Sequence, residues 1–523
     1  MSRFLLNKLM KKPFALLILL AFARVCASQV HIPAGDPQTW SAQQALSAYV
    51  GQTVVFDMPI VVCSNSNRNG LVVSPWRMFE PDNQGIGGSQ EYITAMHVNG
   101  HCSFTLTGVS GYHRCGEKIY GLRARVNSTS KLSFEGGTWS GNTRADLAQG
   151  LPELGDYRIL VCAFNLENYF VKNLGSEYMG ANSYAEHQAQ RAKISAALKQ
   201  INADIFGFCE LEQGDDALQE IVNDLNKNLP GRDYHFFRAN QAATDFQKSD
   251  IVYDANTVEP IGEPVHIDTE LADRKKMVCF REKATGEKFI YSINHFKAMT
   301  GGSDSESRRR NESYAVVNYY NSYRSNSSIR DNDILIMGDL NSHAKTSPVL
   351  FFTDNGMIDL HRAFHADSSY SYMFGGKASY IDHALCNSSL YGQITGVASY
   401  HINSDEDDKY NYQRSDDETM FRCSDHDPVL VGLKLDSTLL YDPTPQLNSA
   451  VIISGEAGQL IIQNAHSETG KSYYAIYSVN GVQIARKEIT SAYYEVELPS
   501  APGMYIVYVY FNGQVYQRRM IAR

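Results

Sequence analysis

Three features are scarce in this 523-residue sequence: long apolar runs, closely spaced cysteines and positive charge. No run reaches the ~20 apolar residues that a membrane-spanning helix needs. The nearest one, Phe14–Ala23, follows three lysines and precedes a candidate cleavage site at Val25–Ala27. Because a basic start and a short apolar core are typical of a signal peptide, we expect residues 1–27 to be removed on export, without stable membrane insertion. A membrane anchor is the alternative, and the short run argues against it.

The cysteines lack the paired short spacings of a zinc site. Removing the predicted leader takes Cys26 away and leaves eight cysteines, an even number that permits disulfides in an exported chain. Cys162 and Cys209 lie within apolar strand-like runs, where a free buried thiol is equally compatible with the sequence. Both interpretations stay open.

Positive charge is scarce because 47 Lys and Arg face 57 Asp and Glu, which gives a formal net charge of -10. This balance argues against a protein that coats nucleic acid by bulk electrostatics. A local basic patch or a metal ion can still recruit a phosphate group. Charge alone therefore leaves the substrate open.

The length predicts two or three domains. Residues 28–145 contain β-like runs such as Thr53–Phe56 and Ile119–Val126, which predict a small β domain, with an OB-like barrel as one candidate. This domain either binds a ligand or serves as a packing and spacing module. Residues 437–450 are proline-containing and polar, as in a linker. Residues 451–523 alternate polar and apolar residues between Asn-Gly turns, which predicts a β-sandwich.

Residues 151–436 alternate strand-like and helix-like patterns, which predicts a layered α/β (α+β) domain with helices covering its sheet. The predicted strands are Ile159–Phe164, Ile205–Cys209, Asp250–Tyr253, Phe289–Asn294, Ile334–Met337, Tyr380–Leu385 and Val429–Leu435. The predicted helices are Ala185–Ile201 and Tyr314–Tyr323.

Polar blocks that end or interrupt strand-like runs give this domain its chemistry. They are Phe164-Asn165, Glu210, Asn294-His295, Gly338–Asn341 and Ser424–Pro428. Hydrolysis of a phosphodiester needs a cation, a base that activates water and donors that hold the phosphoryl oxygens. The acids, histidines and amides of these blocks offer a candidate for each role.

Asp339 and Asn341 lie two residues apart, so an extended segment would point both to one side. A turn-forming pair is the alternative. Glu210 follows a buried strand and offers a hard oxygen ligand to Mg²⁺, unless it is simply an exposed strand-end acid.

His295 and His426 can exchange protons or hold a charged phosphate. Asp425 adjoins His426, but neighbouring side chains of a strand point to opposite sides. Asp382 is therefore the candidate acid that orients His426.

Together these blocks resemble the endonuclease/exonuclease/phosphatase superfamily over about residues 157–436, with Tyr380–His383 as a further matching motif. The resemblance implies a four-layer, deoxyribonuclease-like α/β sandwich and a divalent metal, Mg²⁺ first, with Mn²⁺ or Ca²⁺ as alternatives. It implies that Glu210 binds the metal with Asn165 and Asp425. It also implies that His426, oriented by Asp382, acts with Asp339 on the attacking water, while Asn341 and His295 hold the phosphate.

Within the superfamily the chain is similar to the secreted extracellular nucleases. The similar segments are Phe164–Phe170, Asn294–Lys297, Ser369–Phe374 and His401–Glu406. This resemblance implies a nucleic acid substrate, DNA first and RNA second, with Asn294 and Lys297 as substrate contacts.

Two departures from that branch reduce positive charge: an acid at Asp254, and Ala298-Met299 after Lys297. The run Arg308–Arg310 could restore basic charge, although a solvated helix start is the simpler interpretation. A phospholipid or small phosphate ester is the alternative substrate, and a non-catalytic binding protein is the third hypothesis.

The last segment resembles the C-terminal sorting domains of type IX secretion, through Ile476–Gly481, Gly503–Val507 and the basic finish Arg518–Arg523. The resemblance implies that secretion machinery recognises this domain and that the protein reaches the cell surface or medium. An accessory carbohydrate-binding or spacer sandwich is the alternative. We expect a monomer.

Overall fold

The computed structural model describes most of the chain up to Asp436 and shorter segments after it. The described residues are 29–35, 40–66, 70–80, 102–141, 144–238, 245–267, 269, 271–300, 302–365, 369–406, 419–436, 452–454, 459–463, 472–478, 483–490, 493–497, 503–511 and 514–522. The predicted leader, the linker and the Asn-Gly turns lie outside them. No helix within the described residues combines the length and apolar character that a membrane span requires.

The chain divides into two compact units. The first reaches to Cys386 and continues over Gln393–Leu435, so it contains both the predicted small β domain and the predicted catalytic domain. The second consists of Asn387–Gly392 and the chain from Asp436 onward. The predicted boundary near residue 150 therefore falls inside one compact unit.

The first unit begins with a β-barrel. Its elements are β1 (Val30–Ile32), α1 (Ala42–Leu46), β2 (Thr53–Phe56), β3 (Ile60–Ser66), β4 (Gly70–Ser74), β5 (Phe104–Thr107), β6 (Lys118–Ser128) and β7 (Lys131–Trp139). Strands β3, β4, β5, β7 and β6 pair in that order, and β6 returns to β3, so the ring closes. Leu122, Ala124 and Val126 of β6 alternate into a buried core, as the period of a strand requires. The OB-fold is also a five-stranded barrel, and the OB-like assignment of this domain stays a prediction.

Two six-stranded sheets form the rest of this unit. In chain order the strands are β8 (Ile159–Tyr169), β9 (Ile205–Glu212), β10 (Tyr234–Phe236), β11 (Gln247–Asp254), β12 (Val258–His266), β13 (Lys275–Glu282), β14 (Lys288–His295), β15 (Ile334–Asp339), β16 (Met357–Asp359), β17 (Tyr372–Phe374), β18 (Lys377–Ser379), β19 (Asp382–Asn387), β20 (Ile394–Ser399) and β21 (Val429–Leu433). One sheet has the order β10-β11-β9-β8-β21-β20 and the other β12-β13-β14-β15-β19-β16, while β17 and β18 form a separate hairpin.

Helices cover the outer face of each sheet. The remaining α-helices of the described residues are α2 (Arg144–Gln149), α3 (Tyr184–Ile201), α4 (Asp216–Asn228), α5 (Gly302–Tyr323), α6 (Ser347–Asp354), α7 (Leu360–His365) and α8 (Ser388–Tyr391). Leu198 of α3 and Ile221 of α4 share a buried core with Phe206 of the first sheet. Val316 of α5 packs in the same way with Ile336 of the second sheet. The predicted four-layer α/β sandwich is confirmed.

Helix α5 begins at Gly302, well before the predicted start at Tyr314. Its first half buries polar side chains, among them Ser305, Arg309 and Glu312. The apolar periodicity that signals a helix is therefore absent there, which is why sequence reasoning missed it. Strand β12 was missed for a related reason, since it is an edge strand with few buried residues.

The second compact unit is rich in strands. They are β22 (Ile452–Ser454), β23 (Gln459–Gln463), β24 (Tyr473–Ser478), β25 (Gln483–Glu488), β26 (Tyr493–Glu497), β27 (Gly503–Phe511) and β28 (Gln514–Ala522). They form a three-stranded and a four-stranded sheet. Ile462 and Val496 of the first sheet share one buried core with Ile476 and Val507 of the second. This packing agrees with the predicted β-sandwich.

The close contact between the two large sheets predicts that a methyl group added at Gly207 destabilises the protein. A Cβ at Gly207 of β9 would overlap the Tyr291 hydroxyl and lie 2.7 Å from Ile293 Cδ1, both on β14. Because this space is already filled, Gly207→Ala should lower the free energy of unfolding by about 1–3 kcal/mol in urea denaturation.

Gly150→Ala is the matched control, because a Cβ at Gly150 meets no atom within 4 Å. Its free energy of unfolding should stay within about 0.5 kcal/mol of the wild-type value. If the Gly207 variant were as stable as the wild type, the two sheets would accommodate the added methyl group without any loss in the free energy of unfolding.

Candidate active site

The candidate site lies where strands of both large sheets end side by side. β8 and β9 run parallel in one sheet, and β14 and β15 run parallel in the other, so their carboxyl ends meet at one edge. The antiparallel strand β19 begins at this edge. The residues gathered there are Asn165, Glu210, His295, Asp339, Asn341, Asp382, Asp425 and His426.

Gly338 allows β15 to approach β14 closely just before Asp339. Its φ of 126° is rare for residues with a side chain. A Cβ at this position would overlap the carbonyl oxygen of Asn294 and lie 2.9 Å from the Asn294 nitrogen. The close pairing sets Asp339 directly opposite His295.

Asp339 is the buried carboxylate at the centre of the site. Its Oδ1 accepts a hydrogen bond from the Asn341 backbone N–H at 2.8 Å, and its Oδ2 accepts one from Asn165 Nδ2 at 3.1 Å. Burial, followed by the negative charge of Asp382, raises the pKa of Asp339 to about 7. This carboxyl can therefore take up and release a proton near neutral pH.

His426 is held by Asp382 and faces Asp339. Its Nδ1 donates a hydrogen bond to Asp382 Oδ2 at 2.7 Å, which leaves Nε2 3.9 Å from both Asp339 Oδ2 and Asp425 Oδ1. Burial acts to lower the pKa of His426, but the negative charges of Asp382, Asp425 and Asp339 outweigh it and raise the pKa well above its usual value. The imidazole is therefore held in its protonated form.

His295 faces the same space in the opposite protonation state. Its Nε2 lies 3.7 Å from Glu210 Oε1 and 3.8 Å from Asp339 Oδ2. Its Nδ1 is buried and has no hydrogen-bond partner among the described residues, so no acid in that part of the chain orients this ring. Burial, together with the positive charge of Arg274, lowers the pKa of His295 well below its usual value. The ring is therefore neutral.

Glu210 reaches the site through an irregularity at the end of β9. Its φ of 61° is left-handed, and the pairing of β9 with β11 shifts register opposite it. Strained backbone conformations of this kind cluster at functional sites. Glu210 Oε2 accepts a hydrogen bond from the Asn168 N–H at 3.0 Å. Burial, and then the negative charge of Asp425, raises the pKa of Glu210, while a hydrogen bond with Asn165 opposes the rise. Glu210 therefore lies beside the other two predicted metal ligands.

The remaining predicted residues lie less directly at the site. The side-chain amide of Asn341 donates to Phe296 O at 3.1 Å and to Asp339 Oδ2 at 3.3 Å. It therefore links the residue after β14 to the end of β15. Asn294 is fully buried, and its amide donates to Ser292 O and Met337 O. The structure thus buries Asn294 within the sheet, whereas the sequence predicted that it contacts the substrate. Lys297 is partly exposed just beyond β14.

Comparison with known proteins supplies the classification. The profile of the Endonuclease/Exonuclease/phosphatase family matches residues 162–426, just over half of the chain. The chain belongs to this family. Its members are hydrolases of phosphoester bonds and typically depend on a divalent metal, so this chain is a phosphoester hydrolase. No curated protein matches the chain.

Solved structures of low sequence identity align with about half of the chain. An endonuclease/exonuclease/phosphatase from Bacteroides vulgatus is 16% identical, covering 53% of this chain and 99% of its own, with a TM-score of 0.38. A mannosyl-6-phosphatase from Bacteroides thetaiotaomicron is 19% identical, covering 53% and 100%, with a TM-score of 0.37. The human Nocturnin catalytic domain is 14% identical, covering 53% and 94%, with a TM-score of 0.37.

Two residues at the candidate site were not singled out from the sequence. Ser371 Oγ donates to Asp382 Oδ2 at 2.7 Å, so Asp382 accepts hydrogen bonds from both Ser371 and His426. The Tyr372 ring lies 4.7 Å from the His426 ring, and the two residues form a β-bridge. Both residues lie in the segment Ser369–Phe374, which is similar to the extracellular nucleases. That similarity indicated no role for either side chain.

The donor set fits a divalent metal of the kind that the family uses. Among the described residues, Glu210, Asp339, Asp382 and Asp425 form ion pairs with histidines alone. A cation would offset the burial and repulsion that raise the pKa values of Glu210 and Asp339, and oxygen ligands suit Mg²⁺.

Two groups of residues could hold this metal. Asp339, Asp382 and His426 each offer a ligand atom within 4.8 Å of the others. In that group His426 donates from Nδ1 to Asp382, so Nε2 is its ligand atom. The predicted set of Glu210, Asn165 and Asp425 is the second candidate, and it offers oxygen ligands alone, which Mg²⁺ prefers.

The structure corrects two interpretations of charge near the substrate. Asp254 lies opposite the start of β9, at the far end of the strand from Glu210, and pairs with Arg232 at 2.8 Å. It therefore does not reduce positive charge at the site. Arg309, in the middle of the predicted basic run, is buried and donates to Ser342 Oγ at 3.0 Å. It serves packing, while its neighbours Arg308 and Arg310 are exposed.

The Asp382–His426 contact predicts a measurable change in the pKa of one histidine. Asp382→Asn removes the largest favourable charge acting on His426, so the pKa of His426 should fall toward its ordinary value of about 6.5. An NMR titration of the metal-free protein would measure it. In the wild type the raised pKa stabilises the fold below the unfolded-state pKa, and this stability is lost as pH rises through the folded-state pKa.

Asp224→Asn is the control for that titration, because Asp224 pairs with Arg191 on the helix layer. It should leave the titration of His426 unchanged. A His426 pKa that is the same in the Asp382 variant and the wild type would remove Asp382 as the orienting acid.

Proposed function

We propose that this chain is a secreted, metal-dependent endonuclease that hydrolyses phosphodiester bonds of extracellular DNA. One observation carries the chemistry: a carboxyl with a pKa of about 7, Asp339, faces a histidine held protonated by a second acid, Asp382. A base and a charged donor that share one edge of the sheets are suited to the attack of water on phosphorus.

Each residue has a role in this proposal that follows from its geometry. Asp339 takes a proton from the attacking water, since its raised pKa suits a base at neutral pH. His426 presents its protonated Nε2 to the phosphoryl oxygens, where charge increases during the reaction. The neutral His295 donates a hydrogen bond to the phosphate from Nε2. A divalent metal, held by Glu210, Asn165 and Asp425, supplies further charge neutralisation when bound.

Nucleic acid is the substrate that the rim of the site favours. The hairpin of β17 and β18 carries Tyr372 against His426 and exposes 64% of Phe374 at its tip. Exposed aromatic rings beside a phosphate site can stack on bases, whatever the base sequence. This feature supports DNA, with RNA as the second choice, over a small phosphate ester.

Export is the part of the proposal that rests on the sequence. The basic and apolar start of the chain supports removal of residues 1–27. The β-sandwich of the second unit supports a sorting domain that secretion machinery of the type IX kind would recognise. The enzyme would then work at the cell surface or in the medium, where nucleic acid is a source of nucleotides and phosphate.

The proposed substrate can be tested with three substrates side by side. Purified protein with Mg²⁺ should convert supercoiled plasmid DNA to nicked and linear forms, and a chelator should prevent it. RNA should be cleaved more slowly. Hydrolysis of phospholipid vesicles without any cleavage of plasmid would overturn the nuclease assignment. His426→Ala should lower cleavage by at least about 10³-fold, as removal of a catalytic group commonly does.

His31→Ala is the matched control, because His31 is an exposed histidine of the barrel that pairs with Asp57. It should cleave plasmid at the wild-type rate. Near wild-type cleavage by the His426 variant, at equal thermal stability, would refute its catalytic role.

The metal assignment predicts a shift in metal dependence. Glu210→Ala should raise the Mg²⁺ concentration for half-maximal cleavage by at least about tenfold, because a carboxylate ligand is lost. The measurement is a Mg²⁺ titration of plasmid nicking. Glu259→Ala, which removes an exposed acid paired with Arg281, should leave the titration unchanged. An unchanged half-maximal concentration in the Glu210 variant would exclude Glu210 from the metal site.

A further inference from the structure

The N-terminal barrel contacts the catalytic layers beside the candidate site. Residues Arg77–Glu80, which we call the barrel arm, follow β4 and lie against β18. Glu80 N donates to Ala378 O at 2.9 Å, and Ala378 N donates to Met78 O at 2.8 Å. Phe79 and Ala378 form a parallel β-bridge, and Lys377 pairs with Glu80 at 3.1 Å. The arm therefore pairs with the free edge of the β17–β18 hairpin through one isolated β-bridge.

The opposite edge of the same hairpin pairs with the catalytic histidine. Tyr372 and His426 form an antiparallel bridge, and Asp427 N donates to Ser371 O at 2.8 Å. Ser371 also donates its hydroxyl to Asp382, the acid that holds His426. A continuous ladder thus runs from the barrel arm through the hairpin to the Asp382–His426 pair.

Arg77 of the barrel arm contacts the residues that flank this ladder. Its guanidinium lies 4.7 Å from the centre of the Tyr370 ring and forms an ion pair with Asp405. The Tyr370 hydroxyl donates to Asp405 Oδ2 at 3.0 Å, and its ring stacks on His401 at 3.9 Å. Both charged groups are largely buried, with 16% of the Arg77 side chain and 8% of the Asp405 side chain exposed. A buried ion pair is costly to break, since loss of one partner leaves the other uncompensated.

A second buried cluster joins the barrel to the same loop. Arg114 Nε donates to Glu406 Oε1 at 2.8 Å, and Cys115 N donates to Asp405 O at 3.0 Å. Arg144, just after the barrel, also donates to Glu406 Oε1, at 2.9 Å. Contacts on two loops of the barrel fix its orientation, which a module that only tethers substrate would not need.

We infer that Arg77 is a positioning residue for hydrolysis, and that the barrel is a structural part of the active site. The barrel arm holds Tyr370–Phe374 in register, and this strand holds Asp382 and His426 in the geometry needed for turnover. The chemical residues lie within the region matched by the family, whereas Arg77 lies outside it. The activity test of this inference rests on the proposed phosphodiester hydrolysis. The structural test rests on the contacts alone.

The test compares Arg77→Ala with Arg123→Ala in the full chain. Arg123 is a half-exposed barrel residue that lies 3.7 Å from Glu135, so it is a matched control. The substrates are plasmid DNA and bis(p-nitrophenyl) phosphate, which is too small to reach from the site to a distant binding surface. Arg77→Ala should lower kcat on both substrates by roughly 10- to 100-fold, as small misplacements of catalytic groups do, with little change in KM. Arg123→Ala should match the wild type.

Hydrogen exchange gives a readout that does not depend on activity. Backbone amides of residues 370–380 should exchange at least about tenfold faster in Arg77→Ala, while those of β8 and β9 stay protected. Unchanged exchange there together with wild-type kcat would overturn the inference. A rise in KM for plasmid alone, with kcat on the small ester retained, would also overturn it and make the barrel a substrate-binding module.

A milder variant covers the case in which Arg77→Ala does not fold. Tyr370→Phe removes only the hydroxyl that donates to Asp405, and it should lower kcat and speed exchange in the same direction by a smaller factor. If the wild type hydrolyses neither substrate, the proposed function fails, and the exchange experiment still decides the positioning role.

Discussion

The hydrogen bond between Asn165 and Asp339 joins the two sheets at the point on which the site depends. Asn165 ends the regular part of β8 in one sheet, and Asp339 ends β15 in the other. Gly207 leaves room for Tyr291 and Ile293 of the facing sheet, and Gly338 lets β15 pair closely with β14 within its own sheet. The hydrogen bond between Asn165 and Asp339 holds one carboxylate between two histidines.

Burial at this junction acts to lower the pKa of both histidines, but nearby acids reverse the effect at one of them. His295 has no described acid on its buried Nδ1 and becomes neutral, whereas His426 gains Asp382 and becomes charged. The same burial raises the pKa of Asp339. Groups of one chemical type thus acquire different roles from their surroundings, which is how acid and base chemistry can coexist at one pH. The left-handed backbone of Glu210 costs free energy, and the packing of the surrounding residues keeps it in this conformation.

The barrel extends this dependence beyond the family region. Arg77 and Arg114 place buried positive charge against Asp405 and Glu406, and the hairpin between barrel and site shares its edges with both. Burial alone would raise the pKa of Asp405, but the positive charges of Arg77 and Arg114 lower it below its usual range. The barrel and the catalytic layers therefore behave as one compact unit, in agreement with their packing.

Local pattern was enough to predict the four-layer fold, seven of the fourteen described strands from β8 to β21, and the acids and histidines near the ends of those strands. A buried strand followed by a polar block is encoded within a few neighbouring residues. Local pattern was not enough to find the first half of α5, where buried Ser305 and Arg309 replace the apolar period. It also did not show that Asn294 is buried within the sheet or that Asp254 lies at the far end of β9 from Glu210. Protonation states, the Ser371 and Tyr372 contacts and the reach of Arg77 to Asp405 came from the tertiary structure alone. They depend on groups far apart in the chain, whose approach is set by how the layers pack.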